Sequence, residues 1–522
     1  MKKFLYMLVV STLVVGTFFG CGGKETAEPA ADVIVVGAGG AGLSAAVEVL
    51  KAGSTVLVIE KMPFVGGNTI RAGSAMNAPV TERQKKYPMS QSEMERVEEA
   101  LALEPKDDLM KEWQTTLRKE FDQYKASGAD HLFDSPALHK IHTYDGGDYV
   151  GDPEIIDTFG DNAVDAFNYL KDLGTDWTEN VVAMIGTIWV RANKVAGGQG
   201  SEFVNPQVEY VEANGGQIIT DSRVTELIVD AGRVVGVKGE TATGSPFTYT
   251  ARKGVVLTTG GFGANVEMRE SYNTHWETLD AGIETTNHPG ATGDGIVMAE
   301  AIGAQTVGMD WIQLLPMYYS STAQLLIGNI EDVIMVNQDG NRFVKEDGRR
   351  DEVSAAELAQ DKKGMFMLYT PALVETGEGR FEPTSLEKLK DNPYVFHGCS
   401  LPELAKDMGV PVENLEAAIA EYNEGRTTGE DKFGRSIYGQ EFDPTSDALW
   451  ATWTHPFVHH TMGGVKINPK AQVLDTDDKP IPGLFAAGEV TGGVHGTNRL
   501  GGNAITDIIV FGRIAGQSAA AE

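Results

Sequence analysis

The stretch Gly37-Ala38-Gly39-Gly40-Ala41-Gly42 constrains this chain more than any other. It follows an apolar run, Val33-Ile34-Val35-Val36, with the length and composition of a buried parallel strand. It opens a helical pattern that continues to Leu50, and a second strand pattern, residues 55–59, ends on Glu60. Strand, helix and strand in these lengths read as a βαβ unit. Glycines spaced as G-x-G-x-x-G also occur in ordinary turns, so the flanking pattern decides the reading. In this setting Gly37 permits a tight turn, Gly39 lets backbone approach a pyrophosphate, and Gly42 lets the helix pack closely on the strand. The first helical amides, with Ala41 among them, then meet the phosphates. Glu60 is placed to accept hydrogen bonds from ribose hydroxyls, which favours an adenosine without a 2′-phosphate.

A chain of 522 residues is too long for one small core, so two domains are expected, one of them split in sequence. The formal net charge of −31 leaves no basic patch for nucleic acid. Such acidity either keeps an exported protein soluble or docks a positively charged partner. Lys2 and Lys3 precede an apolar run from Phe4 to Phe19 that ends in Gly20-Cys21-Gly22-Gly23, the pattern of an export signal. Small residues around Cys21 and the polar tract after it resemble a bacterial lipoprotein signal with Cys21 lipidated, although Phe18 stands where leucine is usual. An ordinary signal cleaved in the 27–31 region, or a retained anchor, are the alternatives. The two cysteines, Cys21 and Cys399, build no disulfide framework, and neither a haem-attachment motif nor metal-ligand spacing occurs.

Further along, Glu82 to Ser127 reads as surface helices. Residues 217–226 and 233–238 read as a β-meander turning at 230–232, and residues 254–257 as a buried strand. Residues 311–455 mix helix and strand patterns with many aromatics. Residues 482–516 return to strand, glycine-rich loop and helix. Gly66-Gly67-Asn68-Thr69, shortly after Glu60, resembles the second phosphate-contacting loop of FAD enzymes. So does Ala486-Ala487-Gly488-Glu489. A nucleotide gripped from both ends of the chain points to FAD.

These motifs make a family resemblance specific. From about Asp32 onward the chain resembles the flavoprotein subunit of soluble fumarate reductases, which is related to urocanate and methacrylate reductases and more distantly to succinate dehydrogenase. The likeness is strongest over Gly290 to Glu300, His459-His460-Thr461-Met462-Gly463-Gly464, and Gly488 to Ala504. It implies an α/β fold: a Rossmann-like FAD-binding domain split between 31–310 and 456–522, with an α+β substrate-capping domain, 311–455, inserted. It adds Gly73, Val224, Asp294, His460, Ala504 and Ile505 to the FAD-binding residues. No flavin-anchoring histidine stands near Gly67–Arg71, so the FAD is expected to be noncovalent.

The resemblance implies reduction of a C=C bond next to a carboxylate. Hydride passes from flavin N5 to the β-carbon, and Arg350 delivers a proton to the α-carbon, with Arg349 as the competing assignment. Arg499 clamps the carboxylate with its bidentate fork, assisted by His459, and His460 faces the flavin. An arginine is a poor acid, so Arg350 needs a strongly basic carbanion and a relay, for which Glu331, Asp332 and Asp351 are candidates.

Leu315 stands where fumarate reductases have a histidine before the residue matching Pro316. Leu325-Leu326 replace their Thr-Glu pair, and Asn329 their relay arginine. A second carboxylate among leucines would be penalised. The pocket, lined by Ser74, Leu315, Tyr318 and Leu326, is therefore expected to take an apolar or aryl-substituted acrylate. Alternatively Tyr318 or Tyr319 hydrogen-bonds a polar ring of urocanate type, or these leucines are packed core. The expected function is an exported respiratory enoate reductase fed by a separate donor, a c-type cytochrome docked on the acidic surface. A fumarate or urocanate reductase, a flavin dehydrogenase of ketosteroid-dehydrogenase type and a noncatalytic electron carrier are the alternatives.

Overall fold

In the computed structural model, residues 30–184, 186–318, 330–376 and 391–522 are described. The glycine turn sits at the centre of the main sheet. Its strands run in the order Gln472–Leu474, Pro480–Ala486, Pro246–Leu257, Ala31–Val36, Val56–Ile59 and Gln217–Ile219, parallel except for the first pair. Ala31–Val36 is buried along almost its whole length, as a central parallel strand covered on both faces must be. The expected meander is present as Ser222–Asp230 and Arg233–Thr241, joined antiparallel to the start of Pro246–Leu257. The Gly40–Lys51 helix packs against Asn503–Ala521, and Glu48 ties the two by accepting from Arg513 and Gln517.

The helices expected over 82–127 are Gln91–Ala102 and Asp108–Ser127. Ser90 and Glu93 form a reciprocal cap on the first, and Asp107 caps the second. They are not simply surface helices. One face buries Trp113, Leu117 and Phe121 against Leu138, Ile141 and Tyr144 in a core of its own.

A second sheet carries residues after 311. Its strands run Ile312–Tyr318, Leu449–Thr461, Met365–Tyr369 and Val333–Val336, with Val395–Gly398 also on Leu449–Thr461. Side chains alternate between its faces. Val333, Met335, Met365 and Met367 pack with Val353 of the Arg350–Leu358 helix, whereas Ile334, Val336, Phe366 and Leu368 pack with Leu404, Leu415 and Ile419. The chain therefore has the α/β architecture expected of it, a Rossmann-like sheet with a capping domain. The expected seam at 455/456 falls inside the continuous Leu449–Thr461 strand, which runs from the capping sheet to the nucleotide side.

Inside the capping domain Arg342 makes paired 2.8 Å bonds to Glu346 and lies 2.8 Å from Asp431, all with almost no exposed side chain. Removing one member of such a group strands a buried charge. Arg342→Ala should destabilise the protein by about 3–5 kcal/mol, read from denaturant unfolding, and an unchanged midpoint would show that the group contributes nothing.

Candidate active site

The first feature of the site is backbone. The Gly40–Lys51 helix starts at Gly39, which has no side chain to cap it; the Gly40 amide donates to Thr69 Oγ1 at 3.1 Å, and the helix end faces the cleft. A Cβ on Gly42 would lie 1.9 Å from the Gly37 carbonyl oxygen, a contact only glycine permits. Gly37, Gly39, Ala41, Glu60, Asn68, Thr69, Val224, Asp294 and Glu489 line one cleft, whereas Gly42 lies behind it in the helix–strand contact. Glu60 accepts from the Ala38 and Met62 amides, one on each oxygen. Asp294 binds Lys61 and Arg223 and stiffens the wall.

A second chamber, about 370 Å3, shares Asn68, Thr69, Glu489 and Ile508 with the first, so the two form one elongated space. Into it project Gly73, Met184, Tyr318, Arg350, His459, His460, Arg499, Ala504 and Ile505. These come from the Ile312–Tyr318, Leu449–Thr461 and Gly73–Asn77 strands, the segment after Trp177–Val182, the start of the Arg350–Leu358 helix, and the Asn503–Ala521 helix with the loop before it. The space suits an extended dinucleotide with a ring system at its second end. The Thr259 hydroxyl on the first wall and Arg499 Nε on the second are buried without a protein partner, as groups awaiting a ligand would be.

The chamber's electrostatics follow from dehydration. Burial lowers the Arg499 guanidinium to a pKa of about 10, against the pull of Glu489 and Asp507. Burial, and then Arg499, hold Arg350 well below its ordinary value. Desolvation and the same two arginines keep His459 neutral at neutral pH, and His460 likewise. The Thr286 hydroxyl lies 2.8 Å from His459 Nδ1, and a proton donated there leaves the ring proton on Nε2. His460 Nδ1 is 3.5 Å from Glu489.

Three features that hold this chamber were not anticipated. Gln313 accepts from Arg350 Nη1 at 3.2 Å and donates to Asn498 and the Arg499 carbonyl, so one amide spans both arginines. A lone amide inside the apolar Ile312–Met317 run was its only sequence signal. Gly186 packs beneath Arg350, where a Cβ would lie 2.7 Å from Cγ. Arg349 turns away from the chamber to Asp148 (2.7 and 2.9 Å) and Asp351, and Asp148 also accepts from Thr497. Arg349 thus staples the helix bearing Arg350 to the loop bearing Arg499 from outside.

Leu315 departs from expectation. It packs with Met317, Val353 and Met365 in the capping core and is not among the chamber's lining residues. Register shifts on either side of Leu314-Leu315 rotate the strand, so that Gln313 and Tyr318 face the site instead. Asp351 is paired with Arg349, and Asp332 accepts from the Gln440 amide and the Thr370 hydroxyl. Cys21, Tyr319, Leu325, Leu326 and Asn329 lie outside the described residues, as do the side chains of Ser74 and Glu331.

A glycine turn over a helix N-terminus that opens on a cleft, continuous with a chamber of dehydrated arginines, defines a flavin-dinucleotide protein. The chain belongs to the FAD binding domain family, whose model matches residues 32–123 and 124–505, and stands among its fumarate reductase-like flavoproteins. Its cofactor is FAD. It is 34% identical over 500 residues to urocanate reductase of Eggerthella lenta, covering 94% of this chain and 74% of that one. It is 38% identical over 516 residues to NADH:acrylate oxidoreductase of Vibrio harveyi, covering 95% of this chain and 51% of the relative. The chain thus spans about half the length of that relative. The solved structure of the open conformation of a flavocytochrome c3 fumarate reductase superimposes with a TM-score of 0.71, at 32% identity, over 95% of this chain and 79% of the other.

Behind the chamber, buried His139 meets Asn503 at 3.0 Å, and Asn77 donates to the same oxygen. Burial, then Arg191, holds His139 well below 6.5. The unfolded chain takes up this proton as pH falls through about 6.5 and the folded chain does not, so His139 costs stability below that pH and nothing above it. Relative to the wild type, His139→Gln should gain about 1 kcal/mol between pH 7.5 and 5.5, measured by denaturant unfolding at both. A pH-independent difference would mean that His139 titrates in the fold as it does in the unfolded chain.

Proposed function

We propose that this chain is an exported FAD-dependent reductase of the C=C bond of α,β-unsaturated carboxylates, with residues 311–455 as the cap over its site. The observation that carries this reading is the convergence of two buried guanidiniums, Arg350 and Arg499, with His459 on one chamber continuous with the nucleotide cleft. Reduced FAD supplies a hydride equivalent for the β-carbon. Arg499 grips the substrate carboxylate through its fork, and neutral His459 donates a further hydrogen bond. Both draw charge toward the carboxylate and away from the β-carbon. Arg350 holds the proton destined for the α-carbon. A solvated guanidinium is a poor acid, and burial beside Arg499 makes this one a better one. Gln313 keeps its Nη1 aimed. His460 and Glu489 support the noncovalently bound cofactor.

The substrate class that fits is a monocarboxylate. Among the described residues the chamber's permanent cations are Arg71, Arg350 and Arg499, and Arg71 Nη1 is spent on the Thr286 and Asn287 carbonyls. Met184 and Tyr318 give the β-substituent an apolar and aromatic wall, a role that Leu315 does not share. Similarity to an acrylate oxidoreductase supports the same reading. Electrons arrive from a separate donor, and the net charge of −31 favours a basic c-type cytochrome. Export rests on the Lys2–Gly23 pattern, with Cys21 as the site of a lipid anchor. No helix among the described residues is long and apolar enough to cross a membrane.

The test is a panel of acrylate, methacrylate, cinnamates, urocanate and fumarate assayed with reduced viologen. Acrylates should lead, and a preference for fumarate would overturn the monocarboxylate reading. Arg350→Ala should lose about 10²–10⁴-fold in rate with its FAD absorbance intact. Full turnover in that variant would sink the reductase assignment.

A further inference from the structure

The Arg350–Leu358 helix carries a second chemical group that the reaction above leaves unused. Glu357 is fully buried, and the Thr454 hydroxyl is the polar group beside it, although neither carboxyl oxygen makes a hydrogen bond of full geometry. Ser354, also fully buried, has an unpartnered hydroxyl. Arg350, Ser354 and Glu357 stand at i, i+4 and i+7, on one face of the helix. That face packs on the Ile312–Tyr318 and Leu449–Thr461 strands. Helical side chains lean toward the N-terminus, so Glu357 leans toward Ser354, and Ser354 toward the turn of Arg350. The span is two turns, about 10 Å. Val353 of the same helix packs with Met317, Met365 and Met367, and Thr454 lies beside Glu357.

Such groups are expensive. A buried acid and a buried hydroxyl without partners each cost a desolvation penalty that a leucine and an alanine would not. Burial raises the Glu357 carboxyl well above the ordinary range despite Thr454, which favours its protonated, uncharged form. The acids nearest in sequence to Arg350 are otherwise engaged: Asp351 with Arg349, Glu352 with the Arg349 amide, Asp347 with Ser436 and Ile437, and Glu346 with Arg342; Asp332, farther off, accepts from Gln440 and Thr370.

We propose that Glu357 and Ser354 form the proton relay that reloads Arg350 after each turnover. The proposal rests on the enoate reductase reading. Arg350 gives one proton to the substrate α-carbon and is left a neutral guanidine. The Glu357 O–H passes its proton through the Ser354 hydroxyl, with water completing the steps, to the Arg350 guanidine. The resulting Glu357 carboxylate regains a proton from solvent at the C-terminal end of the helix, where Ala359 and residues 361–363 are exposed. No electrons move along this path, and each turnover draws one proton from water.

The experiment compares the wild type with Glu357→Gln, Glu357→Leu and Ser354→Ala as full-length FAD-loaded proteins. Steady-state acrylate reduction with reduced viologen is set against the first turnover of pre-reduced enzyme mixed with substrate. The relay predicts a steady-state rate at least about 10-fold lower in both Glu357 variants, while the first proton, already on Arg350, is delivered at a rate within about twofold of the wild type. Ser354→Ala should fall between. Glu357→Leu should melt at or above the wild-type temperature, which separates lost proton supply from lost structure. Wild-type steady-state rates in Glu357→Leu would overturn the relay, as would a first turnover slowed as much as the steady state. A wild type that reduces none of the acids would overturn the reductase reading itself.

Discussion

Arg350 and Arg499 come from distant parts of the chain and are stripped of water close to one another. Desolvating each ion costs several kcal/mol, and their mutual repulsion adds to it. Left to themselves the two side chains would swing out or lose protons. The surrounding structure forbids the first and exploits the second. Gln313 spans them from within the sheet, Gly186 closes over the Arg350 stem, and Arg349 joins their two elements through Asp148. None of these neutralises the positive charge in the chamber. They hold it in place, so a ligand carboxylate meets a preorganised field rather than one it must assemble.

That field belongs to a protein with a strongly negative total charge. The outer surface repels anions, whereas the chamber attracts them, and low-dielectric walls keep the two effects apart. On the proposed reading, selectivity for a small anion would come from the local field of the two buried arginines and not from the protein's total charge.

The parts of this molecule that were legible in its sequence are those whose meaning is local. The glycine turn, the strand before it and Glu60 lie within one supersecondary unit, and their spacing alone specifies how backbone meets phosphate. Motifs at Asn68, Glu489 and Arg499 were readable for the same reason. Leu315 was not, because its facing depends on strand irregularities, and a one-residue slip turns a pocket wall into core. Gln313 was hidden by that ambiguity. The Gln91–Ala102 and Asp108–Ser127 helices look polar enough to be solvated, and only tertiary packing shows that Trp113, Leu117 and Phe121 meet a core. Glu357 is the extreme case. An acid in an exposed-looking helix pattern reads as surface, and nothing local announces that its face is pressed against a sheet.

The nucleotide cleft is closed by residues far apart in the order of synthesis. Ala31–Val36 and the Gly40–Lys51 helix are made early, but the Pro480–Ala486 strand, Glu489 and the Asn503–Ala521 helix complete the same sheet and the same wall. A growing chain cannot pair these until the Asn503–Ala521 helix has been made, and contacts of such sequence separation form slowly. The complete cleft is therefore a late product of folding. A nucleotide that needs the whole wall meets its full set of contacts only after that point, so the early βαβ unit carries the turn without the means to enclose what the turn holds.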